Sequence, residues 1–144
     1  MKLSTRCRYG TRAMIEIARL SKNGPVKRSD LAKSQGISPS YLENILIPLK
    51  TQNLIRTIRG ANGGFTLDKS PENITMFQIV TALEGSIAPA HCVKDDEGCG
   101  RIGHCIARKF WLDFYEVQVN CLKATSLQSL LDLEGSDGAN NYSI

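Results

Sequence analysis

The stretch SDLAKSQGISPSYLENILIPLK, residues 29–50, decides the fold. Ser29 fits an N-cap, which predicts a short helix that begins at Asp30 and ends at Gly36. A longer helix follows at once, because Ser38 fits an N-cap and proline occupies the first helical position. Its apolar positions share one face and are Leu42, Ile45, Leu46 and Leu49. Two helices joined by a glycine turn predict a helix-turn-helix, whose second helix enters the major groove of DNA.

A β-hairpin is expected directly after these helices. Two β-prone runs, residues 54–59 and 65–67, flank the sequence GANGG. Asn-Gly and the neighbouring glycines tolerate the positive φ angles of a hairpin tip. The sequence therefore predicts a winged helix-turn-helix, with Arg59 leading into a small tip that approaches the DNA backbone or minor groove.

Further helices are predicted on both sides of this unit. Ser4 caps a first helix, and Thr75 caps another that Gly85 ends. A long helix from Cys105 to about Lys123 is apolar on more than one face, which predicts burial by its own domain and by the same helix of a second subunit. The expected fold is mainly α, with a small β-hairpin wing and a long C-terminal dimerisation helix.

These elements divide the chain into five expected segments. They are a winged helix-turn-helix at 1–67, a connecting helix at 68–85, a cysteine-rich cluster-binding loop at 86–105, the dimerisation helix with a short C-terminal helix at 105–133, and a mobile tail at 134–144.

Charge is distributed unevenly along the 144 residues. Residues 1–66 hold twelve Lys/Arg and three Asp/Glu, a balance of +9, whereas residues 67–144 hold six and eleven, a balance of −5. A basic half is typical of polyanion binding, because each Lys or Arg that neutralises a phosphate releases counterions. The sequence lacks a signal-peptide pattern and any run of eighteen apolar residues, so we expect a cytoplasmic protein without a membrane partner.

Candidate DNA contacts occupy the start of the longer helix, off its buried face. These candidates are Ser38, Ser40, Tyr41 and Glu43. In helix-turn-helix proteins this end of the helix meets base edges. Serine can donate or accept a hydrogen bond there, and glutamate can accept one from the cytosine amino group. Capping is the competing explanation, since Ser38 fits an N-cap and Ser40 with Glu43 fits a capping box. The basic surroundings favour DNA contact and comprise Lys27, Arg28, Arg56 and Arg59.

Three of the five cysteines form a spaced group. Cys92, Cys99 and Cys105 follow the pattern C-x6-C-x5-C in a glycine-rich loop. Glycines let a loop wrap around a compact inorganic core, and thiolates ligate iron-sulfur clusters. Zinc is the alternative: its knuckles are usually tighter, although His91 and His104 could complete a Cys3His set. The remaining cysteines, Cys7 and Cys121, fit small buried hydrophobic residues.

Together these motifs resemble the IscR- and NsrR-type winged-helix regulators, often called the Rrf-two family. The resemblance spans roughly residues 1–133 and includes, in order, MKLSTRCRYGTRAM, ISPSYLENIL, RTIRGANGGFTL, ITMFQIVTALEG and the three-cysteine loop. It implies a homodimeric transcription regulator, not an enzyme, that binds palindromic promoter DNA and senses iron-sulfur, iron, nitric oxide or redox status through a cluster. It places base contacts at Ser38, Ser40 and Glu43, a minor-groove arginine at Arg59, and cluster ligands at Cys92, Cys99 and Cys105.

The fourth cluster ligand stays open. The position of the IscR-type histidine holds Arg108, and that of the NsrR-type acidic ligand holds Arg8. The candidates are His91, His104, Glu97 and Cys7, the last from a partner subunit. A 2Fe-2S cluster is favoured and a 4Fe-4S cluster is possible, because three cysteines and one other group can hold either core. The alternatives are a cluster-free or zinc-containing regulator of cysteine metabolism in the same family and, from another class, an iron-sulfur carrier or small redox enzyme.

Overall fold

The computed structural model describes residues 3–95 and 99–140, with side chains through Gly135. Within these ranges the chain forms helices and one pair of strands. In chain order they are α1 (Thr5–Leu20), α2 (Arg28–Gln35), α3 (Pro39–Thr51), β1 (Ile55–Ile58), β2 (Gly64–Leu67), α4 (Met76–Glu84), α5 (His91–Lys94), α6 (Ile106–Ala124) and α7 (Leu127–Asn140). This mainly helical architecture with a single described hairpin confirms the predicted fold class.

Side-chain caps fix the starts of three helices where the sequence predicts them. The Ser4 hydroxyl accepts from the Cys7 N–H at 3.0 Å, and the Ser38 hydroxyl accepts from the Tyr41 N–H at 3.2 Å. At α4, Thr75 and its partner Gln78 form a reciprocal capping box. Each cap satisfies a backbone donor that has no partner within its helix.

The start of α2 differs from the prediction. The helix begins at Arg28 with Lys27 in the N-cap position, so Ser29 lies inside it and is not its cap. The cause is a non-local contact. Val26 and Phe65 exchange backbone hydrogen bonds of 2.8 Å in both directions, and this bridge holds the chain extended immediately before the helix.

The hairpin is antiparallel, with Ile55 opposite Leu67 and Ile58 opposite Gly64. Its tip needs glycine at two positions. Gly60 has a φ of +115°, and a Cβ at Gly63 would clash with the Ile58 carbonyl oxygen. Because the Val26–Phe65 bridge joins β2 to the segment before α2, the hairpin is held beside the helix-turn-helix.

One apolar core joins the helices around α1, which contacts α2, α3, α4 and α7. The largest fully buried aliphatic side chains are Met14, Ile17, Leu31, Leu42, Ile45, Leu49, Leu54, Ile55, Ile74, Ile79 and Leu127. Gly10 allows α1 to approach α4 closely, because a Cβ there would overlap the Leu83 side chain. Burial of each such Leu or Ile contributes about 1.5–3 kcal/mol.

The C-terminal half adds three features. A single helical turn, α5, lies inside the segment expected to be a loop. Helix α7 continues through Asn140, past residue 134, where the sequence predicts the start of a mobile tail; an ion pair of 3.2 Å between Arg19 and Glu134 ties this region to α1. Within the described ranges, no helix combines the length and apolar character needed to cross a membrane.

Candidate DNA interface and cysteine loop

Helix α3 has one buried face and one exposed face. The exposed face presents Ser40, Glu43, Asn44 and Ile47, which recur at helical spacing. Ile47 is 55% exposed, although isoleucine is usually buried. A hydroxyl, a carboxylate, a carboxamide and a branched apolar group are the side chains that recognise base edges and thymine methyl groups in the major groove. This face has the composition of a recognition surface.

The four residues of this helix that the sequence predicts as DNA contacts have different environments in the structure. Ser38 acts as the N-cap, so the structural explanation holds for it. Tyr41 is half-buried and its ring lies edge-on to Tyr9 at 6.2 Å, which corrects the expectation that it lies off the buried face. Ser40 and Glu43 are exposed. Glu43 does not form the capping box with Ser40 that the competing explanation requires; its carboxylate accepts from Arg28 at 2.9 Å.

A groove of about 380 Å³ separates α3 from the hairpin. Its basic lining residues are Lys27, Arg28 and Lys50, and Ile47 and Ile58 form part of its apolar surface. Arg56 and Arg59 are exposed on the adjoining hairpin. Cationic walls around an apolar floor fit a duplex whose phosphates flank exposed base edges.

The three predicted cluster cysteines occupy the loop and its two helical borders. Cys92 lies half-buried in α5, Cys99 is exposed, and Cys105 is half-buried at the N-cap position of α6. All five cysteines are free thiols. Within residues 3–95 and 99–140, no three His, Cys, Asp or Glu side chains are grouped closely enough to hold a metal ion. Glu97, one candidate for the fourth ligand, lies outside the described residues.

Arg108 connects the two borders of this loop. Its Nε donates to the Cys92 carbonyl oxygen at 2.8 Å, so one turn of α6 is fixed to α5. A guanidinium stays protonated and offers no lone pair, and Arg108 is therefore not a metal ligand. The chemistry of the donor set, three free thiols in one loop and at its two helical borders, nevertheless fits an iron-sulfur cluster.

The other two cysteines have opposite environments. Cys7 is 1% exposed in the core. Burial, together with the negative charge of neighbouring Glu84, raises the pKa of the Cys7 thiol to about 11. A buried, protonated thiol is poorly suited to be the fourth ligand, and Cys7 instead agrees with its prediction as a buried hydrophobic residue. Cys121 is exposed in the single chain, where the same prediction is wrong.

Helix α6 carries apolar residues on two faces. Tyr115, Val119 and Leu122 pack against the core. The other face is an apolar stripe open to solvent, with Ile106 83% and Val117 67% exposed. We define the apolar stripe as Ile106, Phe110, Phe114, Val117 and Cys121. A continuous exposed apolar surface of this kind is typical of an interaction site.

Residues 3–133 match the Rrf2 family model, which is described as "Iron-dependent Transcriptional regulator". The chain belongs to the Rrf2 family. Rrf2 membership confirms the predicted resemblance and identifies the chain as a DNA-binding transcription regulator, not an enzyme.

Individual Rrf2 relatives are similar to this chain over nearly its whole length. CymR of Bacillus subtilis is 35% identical over 130 residues, which cover 90% of this chain and 89% of CymR. IscR of Yersinia pseudotuberculosis is 33% identical over 145 residues, which cover 98% of this chain and 88% of that IscR. The two regulators are therefore about equally similar in sequence.

Solved Rrf2 structures have the same fold. The structure of CymR, described as the global cysteine regulator of B. subtilis, has a TM-score of 0.72 and 32% identity and covers 92% of this chain and 98% of that one. T. potens IscR has a TM-score of 0.75 and 26% identity and covers 100% of this chain and 93% of that one. Winged-helix architecture is thereby confirmed.

Sequence reasoning missed three residues of the candidate Rrf2 interface: Asn44, Ile47 and Lys50. A signal for them existed in the sequence. They continue the spacing of Ser40 and Glu43 along α3. An isoleucine on the otherwise polar face departs from the amphipathic pattern of the helix, which places apolar residues on the buried face. Of the residues on α3, the sequence analysis predicts DNA contacts only for those near its N-terminal end.

Proposed function

We propose that this Rrf2 regulator binds palindromic promoter DNA as a homodimer, and that an iron-sulfur cluster held by Cys92, Cys99 and Cys105 controls the binding. A 2Fe-2S core is favoured and a 4Fe-4S core is the alternative. The observation that carries the proposal is the position of Cys92 and Cys105 on two helices that Arg108 joins, directly ahead of the apolar stripe.

Support for DNA binding at this surface comes from shape and charge together. Ser40 and Glu43 occupy the exposed face of α3 and meet base edges, while Lys27 and Arg28 flank the groove and contact phosphates. Arg59 reaches the backbone or minor groove from the hairpin. The roles of Ser38 and Tyr41 are indirect, because Ser38 caps α3 and Tyr41 packs beside Tyr9.

Support for a homodimer comes from the apolar stripe on α6. A second copy of the same helix would cover residues such as Ile106 and Val117, which are exposed in the single chain. Palindromic DNA requires two recognition helices at a fixed separation, about 34 Å for adjacent half-sites. A dimer built on α6 would set that separation.

Backbone contacts offer a route from the cysteine loop to the DNA-binding half. At the far end of α6, the Thr125 carbonyl accepts from the Met76 N–H at 2.8 Å, and the Ile74 carbonyl accepts from the Leu127 N–H at 2.7 Å. These bonds fasten the α6–α7 junction to the start of α4, which packs on α1 and α3. A displacement of α6 would therefore reach α3 through packed elements.

The cysteines supply the donor chemistry of the proposed control. When bound, an iron-sulfur cluster would supply a centre that responds to iron supply, redox state or nitric oxide. Cys105 would hold it at the first turn of α6 and Cys92 at α5, while Arg108 keeps the two helices together. His91 and His104 are exposed and stay candidates for the fourth position, as does Glu97.

A second function is a cluster-free or zinc-containing regulator of cysteine metabolism. Two observations favour it. The chain is as similar to CymR, the global cysteine regulator of B. subtilis, as to IscR, and its described residues hold no grouped set of three metal donors. We rank it second because the CymR resemblance gives no role to the three thiols of this loop and its two helical borders.

Composition and spectroscopy separate the two functions. We would purify the protein without oxygen, record its visible absorption and count iron, sulfide and zinc, beside a Cys92→Ala/Cys99→Ala/Cys105→Ala variant and a Cys121→Ala control that removes a thiol of the apolar stripe and none of the loop. The proposal predicts brown wild type and control with iron and sulfide, and a colourless triple variant. A colourless wild type without iron and sulfide would contradict it and favour the second function.

A further inference from the structure

An ion pair crosses from α2 to the exposed face of α3. The Arg28 Nη1 lies 2.9 Å from the Glu43 Oε2, and both side chains are 55% exposed. The two residues also line the groove between α3 and the hairpin. The pair therefore stands on the surface that DNA would cover, and it joins the first residue of α2 to a predicted base-contacting residue of α3.

The Glu43 carboxylate lies on a surface that is proposed to bind a polyanion. Phosphates on both sides of the major groove repel a negative side chain, and a glutamate is flexible, so holding it in one geometry costs conformational entropy. Glu43 can favour binding where its oxygen accepts from a cytosine amino group. That contact requires the carboxylate to be neutralised by a neighbour and aimed at the base.

Arg28 meets both requirements. Its guanidinium offsets the charge of Glu43 and, by binding Oε2, restricts the carboxylate while Oε1 stays available for a donor on the base. An exposed ion pair contributes little to folding stability, so variants that remove either partner are expected to stay folded.

We propose that Arg28 is a positioning residue for Glu43, and that the pair together specifies cytosine at the base pair that faces Glu43. This inference rests on the proposed function, since it assumes that α3 enters the major groove. It assigns Arg28 a role in specificity, beyond the phosphate contact that its position beside Lys27 would give it.

Lys27 provides a matched control. It precedes Arg28, lines the same groove and carries the same charge, and its side chain makes no capping hydrogen bond. A Lys27→Met variant therefore loses one cation from the groove and keeps the Glu43 partner.

The test compares full-length wild type with Arg28→Met, Lys27→Met, Glu43→Gln and the Arg28→Met/Glu43→Gln double variant. Each is used to select sites from a randomised duplex library, and affinities for the selected wild-type site and its single-base variants are measured by fluorescence anisotropy. Circular dichroism melting of every variant checks folding.

We expect Arg28→Met and Glu43→Gln to weaken the cytosine preference at the same base pair by about tenfold and to leave other positions unchanged. Glu43→Gln should shift that position toward adenine, which glutamine reads. In the Glu43→Gln background the Arg28 substitution should change the preference no further, because the residue that it positions is gone. Lys27→Met should weaken binding to all sequences alike.

An Arg28→Met variant that weakens all sequences equally and keeps the cytosine preference would overturn the inference, because Arg28 would then be a phosphate contact like Lys27. The proposed function would survive that result. A folded wild type that enriches no sequence would overturn the proposed function itself, and this inference with it.

Discussion

The Arg108 guanidinium and the Cys92 backbone are directly joined, with the Arg108 Nε donating to the Cys92 carbonyl oxygen at 2.8 Å. This bond spans sixteen residues of sequence and holds the short helix α5 against the first turns of α6. Two of the three loop cysteines therefore lie on elements that this bond joins.

Replacing Arg108 with Met should weaken the attachment of α5 to α6. Helix α5 is a single turn. Its backbone hydrogen bonds include one from the Val93 N–H to the Ala90 carbonyl and one from the Asp95 N–H to the His91 carbonyl, both at 3.0 Å. So short a helix is marginal without tertiary support. Hydrogen–deuterium exchange of the cluster-free protein should become about tenfold faster in these amides. The exposed neighbour Lys109→Met is the control, and unchanged exchange in the Arg108 variant would contradict the assigned role.

Val117→Lys should convert the proposed dimer into a monomer without unfolding the chain. Val117 is 67% exposed in the single chain, so lysine costs little there, but in a dimer it would place an unpaired charge inside an apolar contact. Glu116→Lys changes the adjacent exposed residue outside the apolar stripe and should stay dimeric. Sedimentation velocity measures both; a dimeric Val117→Lys protein would locate the interface elsewhere.

Arg59→Ala should lower DNA affinity and its salt dependence together. If Arg59 neutralises one phosphate, its loss reduces the slope of log K against log salt concentration by about one. Anisotropy titrations over a range of salt concentrations measure the slope. Arg101→Ala, in the cysteine loop and exposed, should leave it unchanged. Equal slopes for wild type and Arg59→Ala would exclude a phosphate contact at Arg59.

The raised pKa of Cys7 predicts that the folded protein loses stability at alkaline pH. Burial raises its pKa from 9.0 to about 11, so the folded state holds the thiol proton more tightly than the unfolded state does. Its stabilising effect is complete below about pH 9 and decreases as the pH rises toward 11. The melting temperature of wild type should fall more steeply across this range than that of Cys7→Ala. Parallel plots of melting temperature against pH for wild type and Cys7→Ala would show that the thiol has the same pKa in the folded and unfolded states.

Local signals in the sequence predicted the parts of the fold that depend on neighbouring residues. The caps at Ser4, Ser38 and Thr75 follow from side chains that bond a backbone N–H three residues later. The hairpin tip likewise follows from its glycines, since Gly60 adopts a positive φ.

The features that the sequence did not predict depend on contacts between distant residues. The start of α2 depends on the bridge between Val26 and Phe65, and the burial of Tyr41 depends on Tyr9 in another helix. The Arg28–Glu43 pair requires the relative position of α2 and α3, which no spacing in the sequence encodes.

The most direct test of the central claim is the DNA affinity of one anaerobic preparation in three states: as purified, after chelation of its iron, and after reconstitution with iron and sulfide. Control of binding through the cysteine loop predicts that chelation changes the affinity or the preferred site by at least about tenfold, or 1.4 kcal/mol, and that reconstitution restores it. Identical affinity and sequence preference in all three states would contradict the claim.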